Sequence, residues 1–475
     1  MMPAGSEQPV SISPENNVIG SNRKWWILSV SAMGVFLSTL DASIVNIALP
    51  TIGDHFNATV QATAWVTISY LLVITALLLI FGRLSDLYGQ KLIFTGGLFL
   101  FTLGSGLCAI STNLLQLVLF RSLQGVGAAM IVSNTSAIVT NAFPPEQRGT
   151  ALGTIGAIVS IGLMSGPPLG GFIIHYLGWH YIFLVNVPIG IIAILLTLRI
   201  LPEHRADKGA RIFHPFDSIL WIAAVLALVM AFRASGDLHS IMRDILIYMT
   251  ICLLLIAAFI MRQKRAESPL LNPLFLKNGI FVFASIAGFF SYMTMIALTF
   301  MLPYLLEHSF GKSPLDTGTI LVVIPATTVF VSPISGFLSD KFGQRPIASL
   351  GTLISTLAIA SMFLINPSVP IWHLVVGLIA FGIGLGMFGS PNNSALMGSV
   401  DYKDRGSAGG VLATVRNLGM VTGLGIISII YNAGLKGTEE LTAYSKAFSN
   451  ALPVVIAFSL IALIFSALRR SVSSK

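Results

Sequence analysis

The chain has 475 residues, of which 55% are hydrophobic and only 10% charged, with a formal net charge of +8 and a mean hydropathy of +0.85. A soluble domain carries about 25% charged residues, so a water-soluble globule is excluded. The two cysteines, Cys108 and Cys252, each sit alone in an apolar run, which excludes a disulfide framework or a cysteine metal site. The positive balance needs no nucleic-acid partner, because it resides in short loops between apolar runs.

In chain order, residues 1–24 are a polar, proline-containing tail with no early apolar stretch, so no cleavable signal peptide is expected. A helix crosses a bilayer with roughly 20 apolar residues. Fourteen such runs are expected, at 25–49, 60–81, 91–110, 115–140, 149–173, 179–200, 216–234, 244–262, 279–303, 316–338, 346–365, 371–397, 405–431 and 449–468. They divide into six spans in 25–200, an inserted hairpin within the linker 201–278, six spans in 279–468, and a short tail, 469–475. With the N-terminus on the cytoplasmic side, 20 of the 27 Lys and Arg fall in inside loops, 5 (Arg233, Arg243, Lys312, Lys436, Lys446) fall outside, and Arg121 and Arg416 lie within spans. That bias places both termini in the cytoplasm.

Several positions carry chemistry. Asp41 lies well inside the first span, which Pro50 is expected to close. It is either a carboxylate that loads and releases a proton as its surroundings change, or a polar group bonded to neighbouring helices. Next, Gly82-Arg83-Leu84-Ser85-Asp86-Leu87-Tyr88-Gly89-Gln90-Lys91 returns 254 residues later as Gly336-Phe337-Leu338-Ser339-Asp340-Lys341-Phe342-Gly343-Gln344-Arg345. In each copy the second glycine permits a tight turn, and Asp86 or Asp340 is placed to cap or face a helix N-terminus. Fainter echoes follow: Ser133-Asn134-Thr135-Ser136-Ala137 resembles Pro391-Asn392-Asn393-Ser394-Ala395, and Arg148-Gly149 resembles Arg405-Gly406. Duplicated halves with a site between them build many secondary transporters.

Arg121, with Gln124 one turn on, sits in the fourth span, where an arginine is costly. It must meet a partner or a cavity, or else snorkel to the cytoplasmic face. In the fifth span, Gly162, Gly166, Gly170 and Gly171 allow close helix packing, and Pro167 bends the helix. Glu307 follows Met301-Leu302-Pro303-Tyr304 near an outer end, either as a protonatable group at the mouth or as a plain loop acid.

These stretches together resemble the major facilitator superfamily, over about residues 23–468. The doubled turn looks like its cytoplasmic gating loop. The resemblance implies a latch through Asp86, Arg83 and Lys91, because Leu87 and Gln90 stand where the family has basic residues; Arg148, Arg345 and Arg405 flank the same loops. Leu117 to Ala129 is similar to the fourth-span motif, which ties Arg121 to proton coupling. Gly162 to Gly171 is similar to the fifth-span antiporter motif of drug exporters. Leu40 to Pro50, Trp179 to Gly190 (with His180 where Arg is usual) and Val415-Arg416-Asn417-Leu418-Gly419 (with Asn417 for Gln) resemble the fourteen-span drug:proton antiporter branch.

The implied fold is an all-α integral membrane protein, two six-helix halves plus an inserted two-helix hairpin. The implied activity is proton-coupled export of lipophilic small molecules by alternating access (multidrug efflux). Asp41, Arg121, Gln124, Glu307 and Arg416 are its coupling or substrate residues. A dedicated metabolite or lipophilic-anion carrier, or a proton-driven importer, is the alternative; Gly166-Pro167 weighs against import. A polytopic membrane enzyme would need clustered acids, His or Cys at one membrane face, and none is seen, so no enzymatic activity is expected. Gly384, Gly386 and Gly389 have dinucleotide-loop spacing but lie in an apolar span with no preceding strand. Gly311-Lys312-Ser313 lacks the glycine a phosphate loop requires at position 306, so no ATPase is expected. His175 and His180 lack a third ligand, so no metal is expected. The expected partners are a small lipophilic substrate, protons and the bilayer. The proton gradient is the energy source, with no cofactor. The sequence leaves the oligomeric state open between a monomer and a member of a tripartite export assembly, and nothing in the chain identifies partners for the latter. The expected location is the plasma membrane, the inner one in a bacterium.

Overall fold

The computed structural model describes residues 21–203, 215–233, 238–266, 270, 273–366, 368–401, 405–435 and 440–469. Most of the 1–24 tail, part of the 201–278 linker, and Arg205, Lys208, Arg211, Lys403, Lys436, Arg470 and Lys475 lie outside these residues. In hydrocarbon every backbone N–H and C=O must be satisfied within its own segment. The apolar runs accordingly fold as helix, and among the described residues there is no strand.

The helices are α1 (Ser21–His55), α2 (Val60–Tyr88), α3 (Gln90–Ala109), α4 (Leu114–Ala142), α5 (Pro145–Tyr176), the single turn α6 (Tyr181–Leu184), α7 (Asn186–Ile200), α8 (Pro215–Met230), α9 (Leu238–Gln263), α10 (Gly279–Tyr304), α11 (Pro314–Leu321), α12 (Val323–Phe342), α13 (Gln344–Ser361), α14 (Trp372–Gly398), α15 (Arg405–Leu435) and α16 (Glu440–Leu468). Two expected boundaries move. Helix α1 runs through Pro50 to His55 instead of ending there: proline removes one helix hydrogen bond, and the buried neighbours Leu49 and Ile52 hold the helix on course. Helix α16 begins about two turns before the 449–468 run.

Among the described residues, thirteen helical stretches are long and apolar enough to cross a membrane. The first hairpin segment, α8, has 16 residues, about 24 Å at 1.5 Å per residue, and falls short of a full span by length. It continues as a 3₁₀ turn, Ala231–Arg233.

The doubled turn folds alike in both copies. Gly89 and Gly343 adopt φ of 96° and 91°, a backbone region open to glycine. Each donates its N–H to the serine carbonyl four residues back, Ser85 or Ser339, at 2.9 Å. Those serine hydroxyls bond the Gly82 and Gly336 carbonyls at 2.9 and 2.8 Å. Gly82 faces Ser133 of α4, and Gly336 faces Ser390 of α14. The glycines themselves occupy the cap positions of α3 and α13, with no side-chain cap bond. Asp86 and Asp340 are exposed, and Asp340 makes no hydrogen bond among the described residues. The expected aspartate cap is therefore not formed at Asp340, because the positive-φ glycine already reverses the chain. Arg148 folds back on Phe143, its Nε donating to that carbonyl at 3.1 Å. Lys91 is half-buried, Arg345 is exposed, and Arg405 opens α15.

Helices α1–α7 pack together, as do α10–α16, and glycines set the closest approaches. A Cβ on Gly127 of α4 would strike the α3 backbone at Phe101 and Gly97. In the second set, a Cβ on Gly384 of α14 would strike Ser355 and Gly351 of α13, and Gly386 faces Val331 of α12. Two of the three glycines of the GxGxxG spacing in α14, Gly384 and Gly386, thus serve helix packing, while Gly389 has nothing within 4 Å.

The hairpin α8–α9 lies over the seam between α2 and α15. The Trp221 indole donates to the Thr75 carbonyl of α2 at 3.2 Å, and Phe232 packs onto Gly425 of α15. A buried clamp closes its base: Asp217, 2% exposed, accepts from Arg262 Nε at 2.5 Å and Gln263 Nε2 at 2.9 Å.

On the other flank, α5 meets α11 at one end only. The Gly171 Cα lies against Pro314 and Leu315, and Gly318 lies against the Pro167 carbonyl, with no room for a Cβ at either glycine. This is the end where α1 finishes and α2 begins, called here the far end. Toward the opposite, near end, Gly153 and Gly156 of α5 have nothing within 4 Å, and Phe330, Ile334 and Phe337 of α12 are 74%, 60% and 70% exposed. The two sets touch at the far end and part at the near end on this flank. In Gly318→Leu this contact cannot close. A cysteine introduced as Ile52→Cys, at a position buried in this state, is expected to resist an impermeant maleimide in the otherwise native protein and to react in the Gly318→Leu background. Equal protection in both would show that the contact is no gate.

Candidate functional site

One buried polar network joins five helices of the first set, and an aromatic ring from a sixth lies over it. Asp41 of α1 and Arg121 of α4 are both 0% exposed and form an ion pair, Arg121 Nη1 to Asp41 Oδ2, at 2.5 Å. The same Nη1 donates to Gln124 Oε1 at 2.5 Å, and Nε donates to the Val66 carbonyl of α2 at 3.2 Å. The other carboxylate oxygen, Asp41 Oδ1, accepts from Gln124 Nε2 at 2.8 Å and from Asn186 Nδ2 of α7 at 3.0 Å. Ser105 Oγ of α3 accepts from Gln124 at 2.6 Å. The guanidinium lies over the Tyr70 ring, 4.1 Å from its centroid, with Phe183 of α6 at 5.7 Å. Tyr70 in turn bonds the Ser38 carbonyl at 3.2 Å. Arg121 does not snorkel; it has a partner.

Local sequence explains how these groups meet. Gly104 precedes Ser105, and a Cβ there would collide with the Gln124 backbone; its absence lets α3 come close enough for Ser105 to reach Gln124. Gly190 lies one turn beyond Asn186, and a Cβ on it would overlap the Thr102 side chain. That gap brings α7 to α3 and puts Asn186 on Asp41.

The expected antiporter helix splits into two functions. Gly162, Gly166 and Gly170 of α5 face the turns of α1 around Asp41: a Cβ on each would meet Thr39, Ser43 and Ile44 in that order. Ser43 Oγ donates to the Leu163 carbonyl at 2.9 Å. Pro167 and Gly171 form the α11 contact at the far end. One helix therefore touches both the turn carrying Asp41 and the second set of helices.

The network brings Asp41, Arg121 and Gln124 together and leaves two expected residues elsewhere. Glu307 sits in a π-helical turn, Leu305–Ser309, after α10, half-buried at the far end. Its neighbour His308 approaches Asp54 of α1 at 4.0 Å and stacks on Tyr444, ring centroids 4.3 Å apart. Arg416 is half-buried in α15 and makes no hydrogen bond or ion pair among the described residues. His180 stacks on Trp179 at 3.8 Å, and burial, then the nearby His55, lowers its pKa. Sequence reasoning missed Asn186, Ser105 and Tyr70. Asn186 stands inside the quoted Trp179–Gly190 stretch and is the one polar side chain between Tyr181 and Gly190, a usable signal; Ser105 and Tyr70 carry none.

The profile of the Major Facilitator Superfamily matches residues 31–262 and 284–475. The chain belongs to the Major Facilitator Superfamily. It is 37% identical over 428 residues to the riboflavin transporter RibZ of Clostridioides difficile, covering 90% of this chain and 92% of that one. It is 31% identical over 401 residues to Multidrug resistance protein 3 of Bacillus subtilis, covering 84% and 78%. Its fold matches a bacterial homolog of the human lysosomal transporter Spinster, solved inward-facing and unoccupied, with a TM-score of 0.69 at 16% identity over 94% of this chain and 97% of that one. The protein is thus a multi-pass membrane transporter of this superfamily, related to multidrug-resistance proteins, and not an enzyme.

Removing one partner of a buried ion pair leaves an uncompensated charge and costs about 3–5 kcal/mol. Asp41→Ala is expected to lower the melting temperature of the purified transporter markedly. The double variant Asp41→Leu/Arg121→Met is expected to recover most of that loss. A single variant melting like the native protein would show that the charges are not held as a sealed pair.

Proposed function

We propose that this protein is a proton-coupled secondary transporter that exports small lipophilic molecules by alternating access. In this reading residues 25–200 and 279–468 are the two moving halves, α8 completes a fourteenth span, and both termini face the cytoplasm at the plasma membrane. The near end, where α5 and α12 part, then faces the cytoplasm. The observation that carries the proposal is the contact of Gly162, Gly166 and Gly170 with the α1 turns around Asp41, on the same α5 that closes against α11.

A proton arriving at Asp41 removes the negative partner of Arg121. The guanidinium then stands buried and unpaired, which the low-dielectric interior penalises. Relief requires α1 or α4 to shift, and α1 cannot shift without α5, because no side chains cushion their glycine contact. Movement of α5 in turn loosens the Gly171–Pro314 and Pro167–Gly318 contacts that hold the far end shut. The charge state of Asp41 and closure of the far end are thereby linked: substrate leaves and a proton is taken up from the outside while the far end is open, and the proton passes to the cytoplasm as the far end shuts and the pair re-forms. The Asp86 and Asp340 turns lie at the near end, where a latch would act when the far side opens.

A second reading is favoured by the 37% identity to a riboflavin transporter over nearly the whole chain: a carrier dedicated to one planar aromatic metabolite. Proteoliposomes with an imposed pH gradient test the first reading. Gradient-driven movement of lipophilic dyes is expected in the native protein and is expected to fall to the rate of protein-free vesicles in Asp41→Asn. Undiminished movement in Asp41→Asn would remove Asp41 from coupling. Movement of riboflavin with none of any dye would favour the dedicated carrier.

A further inference from the structure

Charges at membrane depth are few, and their pairing is uneven. Among the described residues, Asp41, Arg121 and Arg416 are the charged side chains seven or more residues from either end of their helices. Asp41 and Arg121 neutralise each other with no exposed surface, and both Asp41 oxygens are occupied. Arg416, eleven residues into α15, keeps an accessible guanidinium with no partner among the described residues.

Its direction follows from helical geometry. Gly410 of α15 lies beside Leu79 of α2 at 3.8 Å, and Gly419 and Gly423 lie against Tyr292 and Met293 of α10. Seven residues make nearly two turns, so Arg416 shares the stripe of Gly423 and looks into the space between α2 and α10, at the junction of the two helix sets. A cation at this depth is costly unless it meets water or an anion. A guanidinium offers five donors in a fork that matches carboxylate-like oxygen pairs. Among the described residues a cationic ligand would find no available carboxylate at this depth, Glu307 lying beyond the end of α10, and would face like-charge repulsion.

We infer that Arg416 is the substrate anchor and that the transported molecule is an aromatic compound with an anionic or carbonyl-rich edge, not a lipophilic cation. This rests on the transporter reading above and deepens it. Anionic edges dock on the guanidinium, and the aromatic body lies along the apolar face of α10.

Two xanthene dyes of nearly equal size test it: anionic fluorescein and cationic rhodamine 123, titrated against the purified protein by fluorescence polarisation. The native protein is expected to bind fluorescein at least about tenfold more tightly than rhodamine 123, the scale of one charge-assisted hydrogen bond. Arg416→Gln is expected to abolish that preference. Arg416→Lys is expected to keep part of it, since a point charge survives while the fork is lost. Equal or tighter rhodamine binding, undiminished fluorescein binding in Arg416→Gln, or binding of neither dye by the native protein overturns the inference. If Arg416→Gln does not fold, the native dye preference and Arg416→Lys still decide. Proton-driven movement of rhodamine in vesicles would sink this inference and leave the transport reading standing. Fluorescein preference with no response to a pH gradient would do the reverse.

Discussion

A carboxylate and a guanidinium sealed inside hydrocarbon can persist only together, and much of the first helix set is arranged around that constraint. Hydrogen bonds to the charges offset their burial, which recruits Gln124, Asn186 and the Val66 carbonyl, with Ser105 bonded to Gln124 behind them, from four helices, while Arg121 Nη2 is left without a hydrogen bond. Side chains of that length reach one another only if the backbones come close. The glycines at 97, 104, 127 and 190 are where those approaches are made, since a Cβ at any of them would overlap a neighbouring helix. The charge pair and the small residues are therefore one device: the first is the buried charge that the proposed coupling would use, and the second supplies the geometry in which it is tolerated.

The second set of helices repeats the scaffold without the chemistry. Gly351 and Gly384 bring α13 and α14 together much as Gly97 and Gly127 bring α3 and α4 together. Near the position corresponding to Arg121 stands Ala380, half-buried against the apolar core. The buried charge of this set is at the near end instead. Arg469, 1% exposed, donates to Asn392 Oδ1 at 2.9 Å, and Asn392 donates to the Ala284 carbonyl at 3.1 Å. Burial, then the nearby Arg345, brings the Arg469 pKa down to about 10, which still leaves it charged at neutral pH. It ties the last helix to α10 and α14 through Asn392, the residue that echoes Asn134 in the first set.

How much of this was legible in sequence depended on whether a feature is local. The doubled turn was readable because a positive-φ glycine and a serine back-bond are settled within a few residues. Thirteen of the fourteen expected spans have a helix of spanning length among the described residues, because lipid enforces length, and the exception is α8, which is too short by itself. Arg121 was readable as costly, so a partner was demanded, and Asp41 was the only acid at membrane depth able to serve. Asn186 and Ser105 were not readable as ligands of that pair, because their role depends on α3 and α7 being drawn together by Gly104 and Gly190. The seat of the hairpin was equally hidden: that Trp221 meets Thr75 is a fact about surfaces 146 residues apart in the chain. The expected cap at Asp340 failed for a local reason, the glycine having already made the turn.

The flanks of the molecule are unequal, and this bears on where a rocking motion is cheapest. Separating packed apolar surface costs free energy in proportion to the area exposed. Along α2 and α15 the two sets meet from Gly410 outward, and the hairpin spans the same seam through Trp221 and Phe232, with its base pinned by Asp217. Along α5 the closest approach of the sets is where Pro167 and Gly171 face Gly318 and Pro314, with a smaller contact to α12 beside it. Glycine and proline backbone carry little side-chain surface to expose, so parting there is less costly than parting α2 from α15. In the proposed alternating-access cycle the hairpin flank is the hinge side and the α5 flank the opening side, and α5 is also the helix seated on the turns of α1 around Asp41. The site where a proton can change the charge balance and the seam that opens most easily are linked by a single helix.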